Sequence, residues 1–483
     1  MAASTPTLTV LVTGASGYVG GRLVPALLEA GCQVRCLART PAKLNAASWR
    51  SAVEVVHGDV GDATSEAFEG IDVAVYLVHS IGQGKDWVAT EQRDAQNFAD
   101  RARDAGVRRI VFLGGLGADD DELSVHLSSR HKVGEILKSG GAEVIEFRAG
   151  VIIGSGSASF EMLRYLVEVL PVMVTPRWVT TRCQPIAIND VVALLVAAIT
   201  KPGSVEGIFE IGGPDVVSYA EMMNLYSEVA GLPRRRLVPV PFLTPGLSSH
   251  WVGLVTPVPA PLARELVESL VNEVIVHDDS FRAIFAVEPI GLSESISRAL
   301  AATRQDRVPT TFSDADLVHF APTSTDPEWS GGTVLKDVRT ARTGASPEAV
   351  FAAFCSIGGA KGWYSGEFLW RLRGILDQIV GGPGLRRGRK ATLSIGDPLD
   401  FWRVEDLVPN RRLRLHAEMA LPGEAWLTWD IEPTPTGCEV TQTALFRPRG
   451  LSGRLYWYGV APFHRFVFPG MVSGIVADAE ANG

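Results

Sequence analysis

The stretch Thr9 to Gly21, reading Thr-Val-Leu-Val-Thr-Gly-Ala-Ser-Gly-Tyr-Val-Gly-Gly, limits this chain more than any other. An apolar β run, Leu8 to Val12, feeds a glycine turn. A helical pattern comes at once, with Val19, Leu23, Val24, Leu27 and Leu28 on one face. Gly14 permits the turn, Gly17 lets a phosphate approach the backbone, and Gly20 lets the helix pack closely on the strand. A strand that ends, a tight turn and a helix N-terminus together suit a pyrophosphate. Ala15, Ser16, Tyr18 and Val19 are therefore read with the three glycines as cofactor-binding residues. An ordinary strand–turn–helix is the competing reading.

The same alternation continues down the chain. Strands are expected at Cys32 to Ala38, Val53 to Val56, Ile71 to Val78, Arg109 to Leu113 and Glu143 to Phe147, with helices at Trp87 to Ala105 and Ser124 to Lys138. This spacing predicts an α/β doubly wound parallel sheet, whose right-handed crossovers bring the strand-end loops to one edge. Leu77, Val78 and His79 at the fourth strand's end, and Gly114 at the fifth's, then flank the cofactor crevice.

Arg39 ends the second strand, where such folds meet the adenine ribose. No Asp or Glu lies between Glu29 and Glu54 to accept from a ribose 2′-hydroxyl. A guanidinium suits a 2′-phosphate, so NADP(H) is preferred, without excluding NAD(H). A solvated loop arginine, with Lys43 or Arg22 meeting the phosphate, is the alternative. After the third strand, Asp59 is placed to accept from the adenine amino group and Val60 to pack on the ring; a turn or N-cap aspartate is equally simple.

At 483 residues, two or three domains are expected. With 45 basic and 54 acidic residues the net charge is −9, which argues against nucleic acid as a partner. Five scattered cysteines without CxxC spacing fit a reducing cytoplasm, with no zinc site or disulfide framework. No secretory signal and no transmembrane span are read. Residues 1–305 are assigned to the dinucleotide-binding domain with a small substrate lobe, 306–332 to a linker and 333–483 to a separate α+β domain.

In that second domain a strand from Thr333 and a helix opened by Ser346-Pro347 precede a helical stretch at 366–380, four or five strands and an apolar segment, Leu451 to Ala477. Trp402, Trp426 and Trp429 line a cavity or fill the core. The final segment, with Pro462 and Pro469, is read as a core helix gripped by the sheet rather than a kinked membrane-surface helix. The basic turn at 386–390 is read as solvated.

Together these residues resemble a family. Thr13 to Gly20 resembles the TGxxGxxG fingerprint of the extended and atypical short-chain dehydrogenase/reductases. Gly58-Asp59-Val60 looks like their adenine-contacting element, and Arg148-Ala149-Gly150 like their RPG, with alanine for proline. Pro185 to Val191 resembles their PIxVxDV, and Phe209 to Pro214 their FxIGGP. The likeness is to the NmrA-like and complex I 39-kDa-subunit-like branch, and to YbjT-type proteins that append a DUF2867-like domain. The second domain's architecture resembles the helix-grip (START/SRPBCC-like) fold, which implies an apolar ligand.

The family's Tyr-x-x-x-Lys is missing: no Tyr lies between Tyr76 and Tyr165. His126-x-x-x-Arg130 stands at the same spacing, which puts both on one helix face. In that reading His126 donates the proton near neutral pH and Arg130 holds the ribose. The resemblance implies an oxidoreductase on a small apolar carbonyl or quinone-like substrate. A non-catalytic NADP(H)-binding sensor or assembly protein is the alternative. No metal site is expected.

Overall fold

The computed structural model describes residues 7–62, 65–79, 86–117, 123–240, 264, 267–304, 323–326, 332–358, 361–366, 368, 370, 373 and 393–482. Ser80, the acidic run 119–122, the basic turn 386–390 and most of the helical stretch 366–380 lie outside the described residues. The chain divides into two units, Met1–Gly332 and Thr333–Gly483.

In the first unit, β1 (Thr9–Thr13) leads through the glycine turn into α1 (Tyr18–Glu29). Then come β2 (Gln33–Ala38), β3 (Glu54–His57), β4 (Val73–Tyr76), α2 (Trp87–Asp104), β5 (Arg109–Gly115), α3 (Val125–Ser139), β6 (Glu143–Ala149), α4 (Ala158–Val169), α5 (Ile188–Thr200) and β7 (Gly207–Ile211). These strands form one parallel sheet in the order 3-2-1-4-5-6-7. This is the Rossmann arrangement, in which the direction of winding reverses between β1 and β4 and opens a crevice at their C-terminal ends.

The central strands β1, from Val10 to Thr13, and β4, throughout, are buried because both faces of the sheet are covered. Val10 and Val12 pack with Leu23, Leu27 and Leu195 on one side. Leu11, Ala74 and Phe112 pack with Ala95, Phe98 and Val133 on the other. Asp190, read as belonging to a helix cap, instead sits inside the first turn of α5, where Ala187 is the cap; its Oδ2 accepts from Ile290 N at 3.0 Å.

Part of the segment read as a linker packs on the sheet domain. Thr325 lies against Gly21, and Asp326 pairs with Arg22.

The second unit has β8 (Leu335–Thr343), α6 (Pro347–Cys355), β9 (Pro398–Leu399), β10 (Trp402–Val408), β11 (Arg412–Ala417), β12 (Gly423–Thr434), β13 (Gly437–Pro448) and α7 (Gly450–Asn482). The sheet is antiparallel, in the order 8-13-12-11-10-9. Ser346 caps α6, its Oγ accepting from Ala349 N at 3.2 Å. β13 alternates buried and half-buried residues, as a sheet with one packed face requires. Trp429 is fully buried and donates to Gln442 Oε1 at 2.8 Å, so that tryptophan belongs to the core. α7 buries Val467, Phe468, Met471, Val472 and Ile475 while Leu455, Tyr458, Phe463 and Phe466 are exposed. By length and composition α7 is long and apolar enough to cross a membrane, a property the residue pattern alone did not register.

Candidate functional site

The glycine turn builds the floor of the crevice. Gly14 takes φ +73°, and a Cβ there would stand 2.8 Å from Leu77 O. Gly17 N donates to Gly14 O at 2.8 Å and closes the turn. A Cβ on Gly20 would lie 2.3 Å from Gly14 O and 2.9 Å from Ala15 Cα, so only glycine permits this approach. Thr13 locks the turn to β4: its Oγ1 donates to Val75 O at 2.9 Å and accepts from Leu77 N at 3.2 Å.

The N-terminus of α1 carries no side-chain cap, and no acidic residue stands in its first turn. Its amide donors and its dipole are left for an anion. Both the close-approach glycines and the uncapped helix end fit a dinucleotide's pyrophosphate. Ser16 is exposed at the mouth, and Ala15 is buried beneath. Tyr18 does not turn toward the mouth. Its hydroxyl is buried beside Gly154 and has no hydrogen-bond partner among the described residues, and Arg22 stacks on its ring at 4.1 Å. Burial raises its pKa well above the ordinary tyrosine value.

Arg22 is not available to a phosphate. It is 1% exposed; its Nη2 donates to Asp326 Oδ2 at 2.9 Å and to Ser155 O at 3.1 Å. Arg39 remains. It is exposed at the end of β2, with Nη1 3.8 Å from Asp59 Oδ2 at the end of β3. The fold thus brings these two predicted residues together at the ends of β2 and β3. Val60 departs from expectation: it is 3% exposed and packs with Leu11, Leu37 and Phe68 inside the core. Its backbone N donates to Asp59 Oδ1 at 2.8 Å, which orients the carboxylate.

At the other end, Leu77, Val78 and His79 come after β4, and Gly114 sits near the end of β5, as the strand pattern implied. Arg130 straddles these two strand ends. It donates to Val78 O at 3.1 Å, to Leu113 O at 2.8 Å and to Glu91 Oε1 at 2.8 Å, and its guanidinium covers Phe112 at 4.7 Å. Ser129 Oγ donates to the other oxygen of Glu91. Three of the five guanidinium donors of Arg130 are engaged with protein, which makes it a fastening for the strand edge. Sequence reasoning missed Glu91, although it lies on the apolar stripe of α2 with Ala95, Phe98 and Ala102, where an acid needs a buried partner.

His126 faces the same region, with Nδ1 buried and without a hydrogen-bond partner among the described residues. Burial first, then the charge of Arg130, pushes its pKa down to about 4. This corrects the reading of His126 as a proton donor near neutral pH: at pH 7 the ring is neutral. His79 is exposed at the end of β4. Neutral in the fold and protonated near 6.5 when unfolded, His126 stabilises the first unit above pH 6.5, and that contribution is lost as pH falls toward 4. His126→Asn is therefore expected to flatten the fall in urea midpoint between pH 6.5 and 4; an unchanged slope would show that the histidine titrates normally.

Comparison with known proteins now decides the family. Residues 14–144 match the family described as NAD(P)H-binding, and residues 329–471 match the family described as a protein of unknown function, DUF2867. The ceramide reductase of Caulobacter vibrioides is 30% identical over 258 residues, 51% of this chain and 78% of that protein. The chain belongs to the NmrA-like atypical short-chain dehydrogenase/reductases. The (4-alkanoyl-5-oxo-2,5-dihydrofuran-3-yl)methyl phosphate reductase of Streptomyces griseus is 29% identical over 270 residues, 54% of this chain and 85% of that protein. NADH dehydrogenase [ubiquinone] 1 alpha subcomplex subunit 9, mitochondrial, of Arabidopsis thaliana is 24% identical over 302 residues, 57% of this chain and 72% of that protein. The chain thus joins an NAD(P)H-binding Rossmann unit to a DUF2867 unit with its own antiparallel sheet.

Proposed function

We propose that the protein is an NADPH-dependent reductase acting on a small apolar carbonyl compound, with quinone-like or conjugated acceptors favoured over simple ketones. The observation that carries this is the glycine floor under an uncapped helix N-terminus, with Arg39 and Asp59 at the adenosine end and no acidic residue from 30 to 53. Arg39 meets the 2′-phosphate by charge-assisted bonds, and the α1 amides hold the pyrophosphate. Bound there, NADPH supplies a hydride.

The preference for a conjugated acceptor comes from the missing acid. A simple ketone becomes an alkoxide, close in basicity to hydroxide, whose conjugate acid has a pKa of about 15.7. Its formation calls for a strong donor, and the helix offers neither a Tyr nor a charged His126. A quinone becomes a phenolate, whose proton affinity corresponds to a pKa of about 10. Solvent can protonate that product, with the open Nδ1 of His126 accepting or relaying a hydrogen bond. Two of the relatives are named as reductases, which supports turnover over a purely sensory or assembly role. The second unit is read as a helix-grip domain, and the cytoplasm as the compartment, with Cys32, Cys36, Cys183 and Cys438 as buried thiols.

The test is NADPH oxidation against a matched panel of quinones, enones and saturated ketones. Quinones and enones are expected to turn over at least about tenfold faster than the ketones, and His126→Ala to lose activity with a flat pH profile from 6 to 8. Tight NADPH binding with no oxidation above background would instead establish the non-catalytic reading.

A further inference from the structure

The second unit holds a half-open cavity of about 370 Å³. That lies within the usual range for small-molecule sites, about 300–1,000 Å³. It lies between the sheet and α7, and Trp402, Trp426, Phe446, Trp457 and Phe468 contribute aromatic surface to its wall. Nothing in the proposed reduction uses it.

Polar groups interrupt the apolar wall, and three of them bear on the choice of ligand. Trp402 is 5% exposed, and its Nε1 has no hydrogen-bond partner among the described residues. An indole N–H can only donate, so it calls for an acceptor. His464 Nδ1 is likewise buried without a hydrogen-bond partner among the described residues. The third is Arg373. Its Nε reaches Met419 Sδ at 3.1 Å, and its guanidinium lies over the Tyr456 ring at 5.1 Å. A thioether and an aromatic face are weak partners for a cation, and no carboxylate pairs with Arg373 among the described residues. The neighbouring charges are already balanced: Asp337 pairs with Arg339 at 2.8 Å, Glu405 with Arg414 at 3.0 Å and Glu424 with Arg447 at 4.0 Å. Asp337 also stands 3.9 Å from His464 Nδ1.

We propose that this cavity binds an apolar monocarboxylic acid, with its carboxylate on Arg373, a further acceptor bond from Trp402 Nε1, and its apolar body among the aromatic residues. A charge facing an apolar cavity is costly unless paired, and a ligand carboxylate pairs it where the described residues supply none. The neutral state of His464, whose pKa burial pushes down to about 4, adds no second cation and keeps the preference to a single negative charge.

The test uses the full chain and two probes of equal length, decanoate and decanol, each below its aggregation concentration and followed by tryptophan fluorescence and calorimetry. Decanoate is expected to bind at least about tenfold more tightly than decanol, the worth of a hydrogen bond to a charged group. Arg373→Met should bring the acid down to the alcohol without weakening the alcohol. Trp402→Phe, which keeps the ring and removes the N–H, should weaken the acid by a few-fold. Retained decanol binding reports that the second unit of each variant is folded, and NADPH affinity, measured on the same samples, is expected to stay unchanged. Equal affinity for acid and alcohol, an acid preference that survives Arg373→Met, or failure of both probes to bind the wild-type chain would each overturn the assignment.

Discussion

Gly20→Ala is expected to weaken NADPH binding by about 100-fold or more, the scale of effect seen when a site is displaced by about 1 Å. The reason is local and steric. The added methyl would stand 2.3 Å from Gly14 O, 2.8 Å from Gly14 C and 2.9 Å from Ala15 Cα. All three are backbone atoms of the turn itself, so no side chain can rotate away. The helix must retreat from the strand or the turn must open, and either moves the amides that face the pyrophosphate. Overpacking of this kind also costs about 1–3 kcal/mol of stability. Gly459→Ala is the control: a Cβ there meets nothing within 4 Å, so binding should be unchanged. Fluorescence titration with NADPH measures both. Wild-type affinity in Gly20→Ala would mean that the helix N-terminus is not the pyrophosphate site.

The second large effect is on stability. Asp326→Ala is expected to destabilise the first unit by about 3–5 kcal/mol, because it leaves Arg22 charged and unpaired where both side chains are almost fully buried, at 1% and 7% exposed. Arg22→Ala should do the same from the other side. The double variant Arg22→Met with Asp326→Leu should recover most of the loss, since an apolar pair of similar volume replaces a buried ion pair at little cost. Calorimetry of the full chain would track the transition of the first unit. A single-variant loss below about 1 kcal/mol would mean that the pair is solvated and that 323–326 does not hold its place on α1.

These two predictions stand at opposite ends of what the sequence reveals. The glycine turn was legible because its information is local: a strand, three glycines and an amphipathic helix within about twenty residues fix the backbone path. The parallel doubly wound sheet was legible because strands and helices alternate at the spacing its crossovers require. Arg39 and Asp59 were legible for the same reason, since each sits at the end of a strand whose place in the sheet is determined. Arg22 and Asp326 are 304 positions apart, and a Pro- and Thr-rich stretch carries no period that would announce a buried aspartate. Glu91 could have been found, because it interrupts an apolar helix stripe; its partner Arg130 had been given another task by motif spacing alone.

His126 shows a different limit. Spacing placed it on the right face, but its charge depends on burial and on a neighbouring guanidinium, and neither is written in the i, i+4 pattern. Val60 went the same way: an apolar residue after an aspartate suits a ring contact or a core, and the fold chose the core. In the second unit the tryptophans divided, Trp429 into the core and Trp402 and Trp426 onto the cavity wall. Alternation along a strand shows which residues face inward, and only the packed helix decides whether the inside is filled.

The proposal that a 2′-phosphorylated cofactor is selected at the end of β2 has one direct test: calorimetric titration of NADPH and NADH into the wild-type chain and into Arg39→Ala. NADPH should bind the wild type about 10–100-fold more tightly than NADH, and Arg39→Ala should remove that difference by weakening NADPH alone. Equal affinities in the wild type, or a preference that survives the substitution, would contradict the assignment of Arg39 and with it the choice of NADPH.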